Sequence, residues 1–210
     1  MTVTALATAV PTPAWATDAI VRAGQRMDAR GWVPATAGNI SIRLGPDRIA
    51  ITRSGTHKGF LDASSVMQVD LDGRALTPAK PSAETGLHCQ LYRLFPQVGA
   101  VLHGHSVAGT VLSLRGGDHI RFAQYEILKA FEGQRTHDVA LDLPIVDNDQ
   151  DIARLAAAIE PAIKAGLPLG YLIRGHGVYV WAENMETALA RLEGLEFLLA
   201  CELERRKLAA

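Results

Sequence analysis

The chain has 210 residues, 21 Lys+Arg against 22 Asp+Glu, 48% hydrophobic and 20% charged residues. That length suits one generous domain able to bury roughly 70% of its unfolded surface, so the whole of residues 1–210 reads as a single domain, with residues 1–11 as a flexible extension. A net charge of -1 excludes a counterion-releasing nucleic-acid surface and a basic membrane face, and the composition excludes a disordered chain; the partner is a small molecule or another protein.

The first ten residues carry no positive charge ahead of a mildly apolar run, which fits neither a signal peptide nor a membrane anchor and points to the cytoplasm. Thr12 as N-cap and Pro13 at the first helical position open a helix whose Ile20, Ala23 and Met27 keep a 3.6-residue rhythm up to Gly31. Short alternating runs, Ile40 to Leu44 and Ile49 to Thr52 about a Gly45-Pro46-Asp47 turn, predict a hairpin. A third strand spans Val66 to Leu71, with Asp72-Gly73 as turn and Arg74-Ala75-Leu76 as return. Ser82 caps a helix carrying Leu87, Leu91, Leu94 and Phe95, which Pro96 ends. A strand from Val98 to Leu102 runs into His103-Gly104-His105, and Ser106 caps a helix to about Leu114.

Phe122 to Phe131 reads as helix, Ala140 to Val146 as strand, and Asp149 to Ala165 as an amphipathic helix ended by Gly166. Strands from Leu169 to Ile173 and Val178 to Trp181 flank Arg174-Gly175-His176-Gly177. Asn184 caps a last helix to about Lys207. Cys89 and Cys201 both fall in helical segments without a C-x-x-C partner, so no structural disulfide is expected. Two-residue turns forbid parallel neighbours, and the fold class is α/β: a single-domain sandwich of a mostly antiparallel sheet covered by helices.

His103 and His105 are the sharpest chemical signal. At a strand end, i and i+2 side chains share a face ~6.6 Å apart at Cα, so two imidazoles can converge on one ion. Alone, such a pair is equally two ordinary polar residues, and His176 in its Gly-His-Gly setting reads first as a solvated hairpin tip. Three imidazoles together would hold a zinc-like ion that polarises a ketone or holds an enediolate. That chemistry needs a carboxylate. Glu84 and Glu126 are the candidates, although Glu84 also suits a helix dipole and Glu126 an exposed ion pair with Lys129. The loops at Thr36 to Asn39 and Arg53 to Gly59 could cradle a phosphate through backbone N–H groups and Lys58, or be plain hairpin turns. Neither matches a nucleotide-binding motif.

In order and spacing, Gly38-Asn39-Ile40-Ser41, Ser54-Gly55, Pro81-Ser82-Ala83-Glu84, His103-Gly104-His105 and Arg174-Gly175-His176-Gly177 resemble the class II aldolase family of zinc enzymes over about Ala14 to Arg206. Within it, Gly31 to Thr36, Thr56 to Phe60, Tyr125 to Ala130 and Leu143 to Asp151 look like the dehydratases that convert a methylthio-substituted pentulose phosphate to a 2,3-diketo phosphate in methionine salvage.

The resemblance implies one Zn2+ per subunit on His103, His105 and His176, and a cytoplasmic homotetramer with sites near subunit boundaries. It implies a small sugar-phosphate substrate and neither nucleic acid nor membrane as partner. Glu126 would be the proton carrier, with Glu84 the acid/base of the related aldolases. Asn39, Ser54, Gly55 and Ser82 would hold the phosphate, with Lys58 supplying charge. A sugar-phosphate aldolase or epimerase, such as a fuculose-phosphate aldolase, is the neighbouring activity. A non-catalytic adducin-like interaction module is the more distant alternative.

Overall fold

The computed structural model describes residues 11–209, so the expected flexible extension lies, but for Pro11, outside the described residues. Eight strands form one sheet: β1 (Asn39–Arg43), β2 (Arg48–Thr52), β3 (Val66–Asp70), β4 (Ala100–Gly104), β5 (His119–Ala123), β6 (Ala140–Val146), β7 (Tyr171–Ile173) and β8 (Val178–Ala182), in the order β3-β2-β1-β4-β8-β7-β6-β5. All neighbours are antiparallel except β6 and β7, which bears out the expected class.

The helices are α1 (Ala14–Ala29), α2 (Thr85–Leu94), α3 (Val107–Ser113), α4 (Ile152–Ala165) and α5 (Met185–Leu208). Alternation along the strands divides the apolar side chains into two layers. Ile40, Leu102 and Val180 meet Ile20 and Met27 of α1 and the α5 leucines on one face. Ile49, Val101 and Tyr171 meet Leu87 and Leu91 of α2 and Leu155 and Ile159 of α4 on the other. Leu192, Leu195 and Leu199 of α5 are fully buried, and each such side chain contributes about 1.5–3 kcal/mol.

Several local expectations shift. Pro13 is the N-cap of α1, not its first helical residue, and receives no side-chain cap. The α2 helix begins at Thr85 with Glu84 at its N-cap, because the Ser82 carbonyl accepts both Thr85 N–H and its hydroxyl, closing a turn in front of the helix. Phe122 to Phe131 is not one helix. His119–Ala123 alternates exposed and buried side chains as an edge strand, and Gln124 at φ 62 stops any helix before the 3-10 turn of Glu126–Ala130. The return after Asp72-Gly73 is a single bridge between Val69 and Ala75. Ser106 and Asn184 do cap α3 and α5, and Asp151 caps α4 two residues beyond its expected start at Asp149; each accepts from the backbone N–H three residues on. Both cysteines are free, as expected.

The register brings chemistry to the centre of the sheet: Asn39 of β1 lies opposite His103 of β4, which lies opposite Tyr179 of β8. Gly177, just before β8, makes the close approach possible, since a Cβ there would stand 2.1 Å from the Gly104 carbonyl oxygen and 3.0 Å from His103 Cε1. Gly177→Ala is therefore expected to cost about 1–3 kcal/mol, a fall of roughly 2–12 °C in Tm by thermal unfolding.

Candidate metal centre and active site

The strand β4 carries His103 and ends at Gly104, and His105 follows over the same end of the sheet, held by its N–H to the Trp32 carbonyl at 2.6 Å. His176 arrives from the tight β7–β8 turn, where Gly175 at φ 63 supplies the left-handed residue. The ring nitrogens converge: His103 Nε2 lies 2.8 Å from His105 Nε2 and 3.4 Å from His176 Nε2. Glu84 closes the group, with Oε2 3.2 Å from His103 Nε2 and Oε1 3.1 Å from His176 Nε2. One ligand atom from each of these four residues falls within 4.8 Å of all the others.

The tautomer of His103 decides what this cluster can do. Its Nδ1–H donates to the Val178 carbonyl at 2.9 Å, so Nε2 turns a lone pair towards the other donors. The ring is fixed from the side as well, stacked on Tyr179 with centroids 4.2 Å apart. Burial, with His103 and His176 as neighbours, pushes His105 down to about 3, and burial with His103 lowers His176. Burial opposes the ionisation of Glu84, but the facing His103 and His176 rings and the Asn39 amide outweigh it and hold the carboxyl far below its ordinary range. Neutral imidazoles facing an ionised carboxylate form the donor set of a divalent transition-metal ion, and these residues fit such an ion.

Beneath the cluster runs a buried relay. Tyr92 and Ser41 hydroxyls are 2.9 Å apart, Ser41 Oγ is 2.7 Å from His88 Nδ1, and His88 Nε2 meets Asn39 Oδ1. Asn39 Nδ2 then donates to Glu84 Oε2 at 2.8 Å and to Ser82 Oγ at 3.1 Å. Burial pushes His88 down to about 3, so a neutral ring that donates from Nε2 and accepts from Ser41 orients the Asn39 amide. His88 thus serves the site from below instead of entering it.

A cleft of about 400 Å³ opens above the cluster. Its walls unite the residues expected at a phosphate, Asn39, Ser54, Gly55, Ser82 and Lys58, with Glu84, His105 and His176. Lys58 is 1% exposed, and its Nζ donates to the Thr36 and Thr56 carbonyls at 2.8 and 2.6 Å, leaving one N–H to offer. Burial pushes it down to about 8, with Glu84 opposing, so it stays mostly protonated at neutral pH.

The loop residues Asn148, Asp149 and Gln150 also line the cleft; the sequence reading placed them within the Leu143 to Asp151 resemblance and gave them no part in the site. Glu126 is elsewhere in its own chain. Its side chain is 70% exposed and paired with Lys129, and it lines no part of the cleft. A second cavity of about 600 Å³, between Phe95, Trp181 and Arg191, holds none of the cluster residues.

This fold and donor set define an α/β protein with, among the described residues, one His/Glu cluster able to hold a metal ion at one end of a mostly antiparallel sheet. The chain belongs to the Class II Aldolase and Adducin N-terminal domain family, which matches residues 18–203. It is 68% identical to the methylthioribulose-1-phosphate dehydratase of Granulibacter bethesdensis over 93% of this chain and 94% of that one. With the enzyme of the same name from Pseudomonas fluorescens it shares 53% over 89% and 91%. Among solved structures it resembles YgbL from Escherichia coli, with TM-score 0.74 and 27% identity over 88% of this chain and 86% of that one. The L-fuculose-1-phosphate aldolase of Thermus thermophilus has the same fold, with TM-score 0.74 and 24% identity over 93% and 97%.

Each of His103→Ala, His105→Ala and His176→Ala is expected to lower the metal content of the purified protein and to abolish turnover, because removing one imidazole of three weakens the site and spoils its geometry. Elemental analysis beside an activity assay checks this, and full occupancy with normal turnover would remove that residue from the ligand set.

Proposed function

We propose that this chain converts 5-methylthioribulose 1-phosphate to 5-methylthio-2,3-dioxopentyl phosphate and water, as a lyase of methionine salvage. The observation that carries the reading is three imidazoles and Glu84 converging at the floor of a polar cleft, in a chain with 68% identity to a dehydratase of that name. We assign the ion as zinc, one per subunit on His103, His105 and His176, and the location as cytoplasmic. No helix among the described residues is long and apolar enough to cross a membrane.

When bound, such an ion supplies Lewis acidity to a carbonyl and to the negative charge that follows loss of a neighbouring proton. The chain's own groups do the rest. Asn39, Ser54, Gly55, Ser82 and Lys58 anchor the phosphate, which sets the C2 carbonyl end of the substrate over the cluster. A base takes the C3 proton, an acid returns a proton to the departing C4 hydroxyl, water leaves, and the C3 enol becomes the second ketone.

We assign that proton traffic to Glu126, with Glu84, already ionised and hydrogen-bonded to Asn39, acting through the electrostatics of the centre. Because Glu126 stands outside the cleft of its own chain, this assignment requires a second copy to carry it in. The exposed Val107, Val111 and Leu114 on one side of α3 suit such a subunit boundary, in keeping with a homotetramer.

Incubation with 5-methylthioribulose 1-phosphate and, in parallel, L-fuculose 1-phosphate is expected to give a diketone from the first and nothing from the second. An aldehyde product would replace the dehydratase reading with the aldolase one. Removing the phosphate from the substrate is expected to lower kcat/KM about 10–100-fold, since donors aimed at an anion serve a neutral hydroxyl badly; equal values would refute the cradle.

Glu126→Gln is expected to keep metal and substrate binding and lose ~10²–10⁴ in kcat, and Glu84→Gln to lose less. The reverse pattern would place the proton on Glu84. Sedimentation of the same preparations tests the oligomer.

A further inference from the structure

The third imidazole of the cluster is held differently from the first. His103 is fixed through its Nδ1, whereas His176 Nδ1 is buried and meets no hydrogen-bond partner among the described residues. Nothing aims the His176 ring from its far side, so its direction is set by its backbone, which Gly175 and Gly177 flank. That backbone is a compact turn, closed by His176 N–H on the Ile173 carbonyl and by Ile173 N–H on the Gly177 carbonyl. Such a turn moves as a unit on the end of β7 and β8.

Helix α3 and Arg174 hold that unit in place. Thr110 Oγ1 donates to the His176 carbonyl at 3.2 Å, and Ser113 Oγ accepts Gly175 N–H at 2.8 Å. Beside the turn, the Arg174 guanidinium gives each of its three nitrogens to a different acceptor. Nη1 donates to the carbonyl of Ser113, the last residue of α3, at 2.8 Å, Nη2 to the Gly117 carbonyl at 2.9 Å, and Nε to Asp147 Oδ1 at 2.6 Å. Asp147 opens the loop whose Asn148, Asp149 and Gln150 wall the cleft. The parallel pairing of β6 and β7 reaches Val146 and Ile173, and Arg174 N–H on the Val146 carbonyl extends it by one bond. Arg174 thus stands where the two chains part, with the cleft wall on one branch and the His176 turn on the other.

We propose that Arg174 is a positioning residue of the metal centre: its guanidinium, anchored on Asp147, fixes the tilt of the His176 turn against the C-terminal end of α3. The proposal rests on the reading of the three histidines as ligands. The place calls for a planar fork, since three acceptors surround one side chain and an ammonium, a point charge, reaches only part of that spread. Folding gains little from the anchor, because the Asp147 side chain is 85% exposed and an ion pair so open to water is weak.

The test compares Arg174→Lys and Arg174→Met with the parent, each freed of metal and titrated with Co2+ against a chelator. Visible absorption of the Co2+ form reports ligand geometry, and thermal unfolding of the metal-free form reports stability. Arg191→Met is the control: it removes a guanidinium bonded in the same manner, to the Trp181 carbonyl at 2.8 Å and to Glu132 at 2.9 Å, at the end of β8 away from the cluster. Both Arg174 variants are expected to bind Co2+ about tenfold more weakly with an altered spectrum, and to unfold without metal within about 4 °C of the control. The control is expected to match the parent in affinity and spectrum.

Parent-like Co2+ affinity and spectrum in either Arg174 variant would overturn the proposal. So would an equal loss in Arg191→Met, which would trace the effect to general destabilisation. Should Arg174→Met not fold, Arg174→Lys decides by itself. A parent chain that takes up no divalent metal would overturn the reading of the histidines as ligands and this proposal with it.

Discussion

The hydrogen bond from His103 Nδ1 to the Val178 carbonyl is the constraint on which the site depends. It is made between two central, buried strands, where water cannot compete and an unpaired imidazole N–H would cost about 1–3 kcal/mol. By fixing the proton on Nδ1 it fixes the lone pair on Nε2, and so leaves a core histidine able to hold a metal ion. His105 and His176 then need only be brought to that nitrogen, and both come on turns next to the same strand ends.

The surroundings follow from the same register. Because β1 and β8 flank β4 as antiparallel neighbours, Asn39 and Tyr179 sit on either side of His103 on one face of the sheet. Tyr179 stacks against the ring, and Asn39 delivers a hydrogen bond to Glu84. The Tyr92–Ser41–His88 relay beneath Asn39 explains a buried, neutral histidine that touches no ligand: it fixes which way the amide faces. The carboxylate, the amide and the imidazole are thus set before any substrate arrives, which is the preorganisation that stabilising developing charge requires.

The two faces of the sheet divide the labour. The α2/α4 layer packs under the relay and gives Glu84 its place at the helix N-cap. The α1/α3/α5 layer carries the ligand turns, with α3 bonded to the His176 turn and resting on α5. Glu126, on the 3-10 turn laid over α5, belongs to this second layer and faces outward.

Local order was legible in the residues themselves. His103-Gly104-His105 at a strand end, the Ser106 and Asn184 caps and the hairpin of β1 and β2 are determined by alternation, turn chemistry and capping, all of which act within a few residues. The helix expected from Phe122 overlaps the end of the His119–Ala123 strand because an edge strand packed on one side offers only Ile120 and Phe122 as signal, and nothing nearby announces the left-handed Gln124. The resemblance already grouped His176 with His103 and His105, but tertiary structure alone decided that Asn148 to Gln150 wall the cleft and that Glu84 rather than Glu126 joins the imidazoles of its own chain. The reason is physical: these meetings depend on strand order and on register between segments far apart in the chain, and neither has any counterpart in local periodicity.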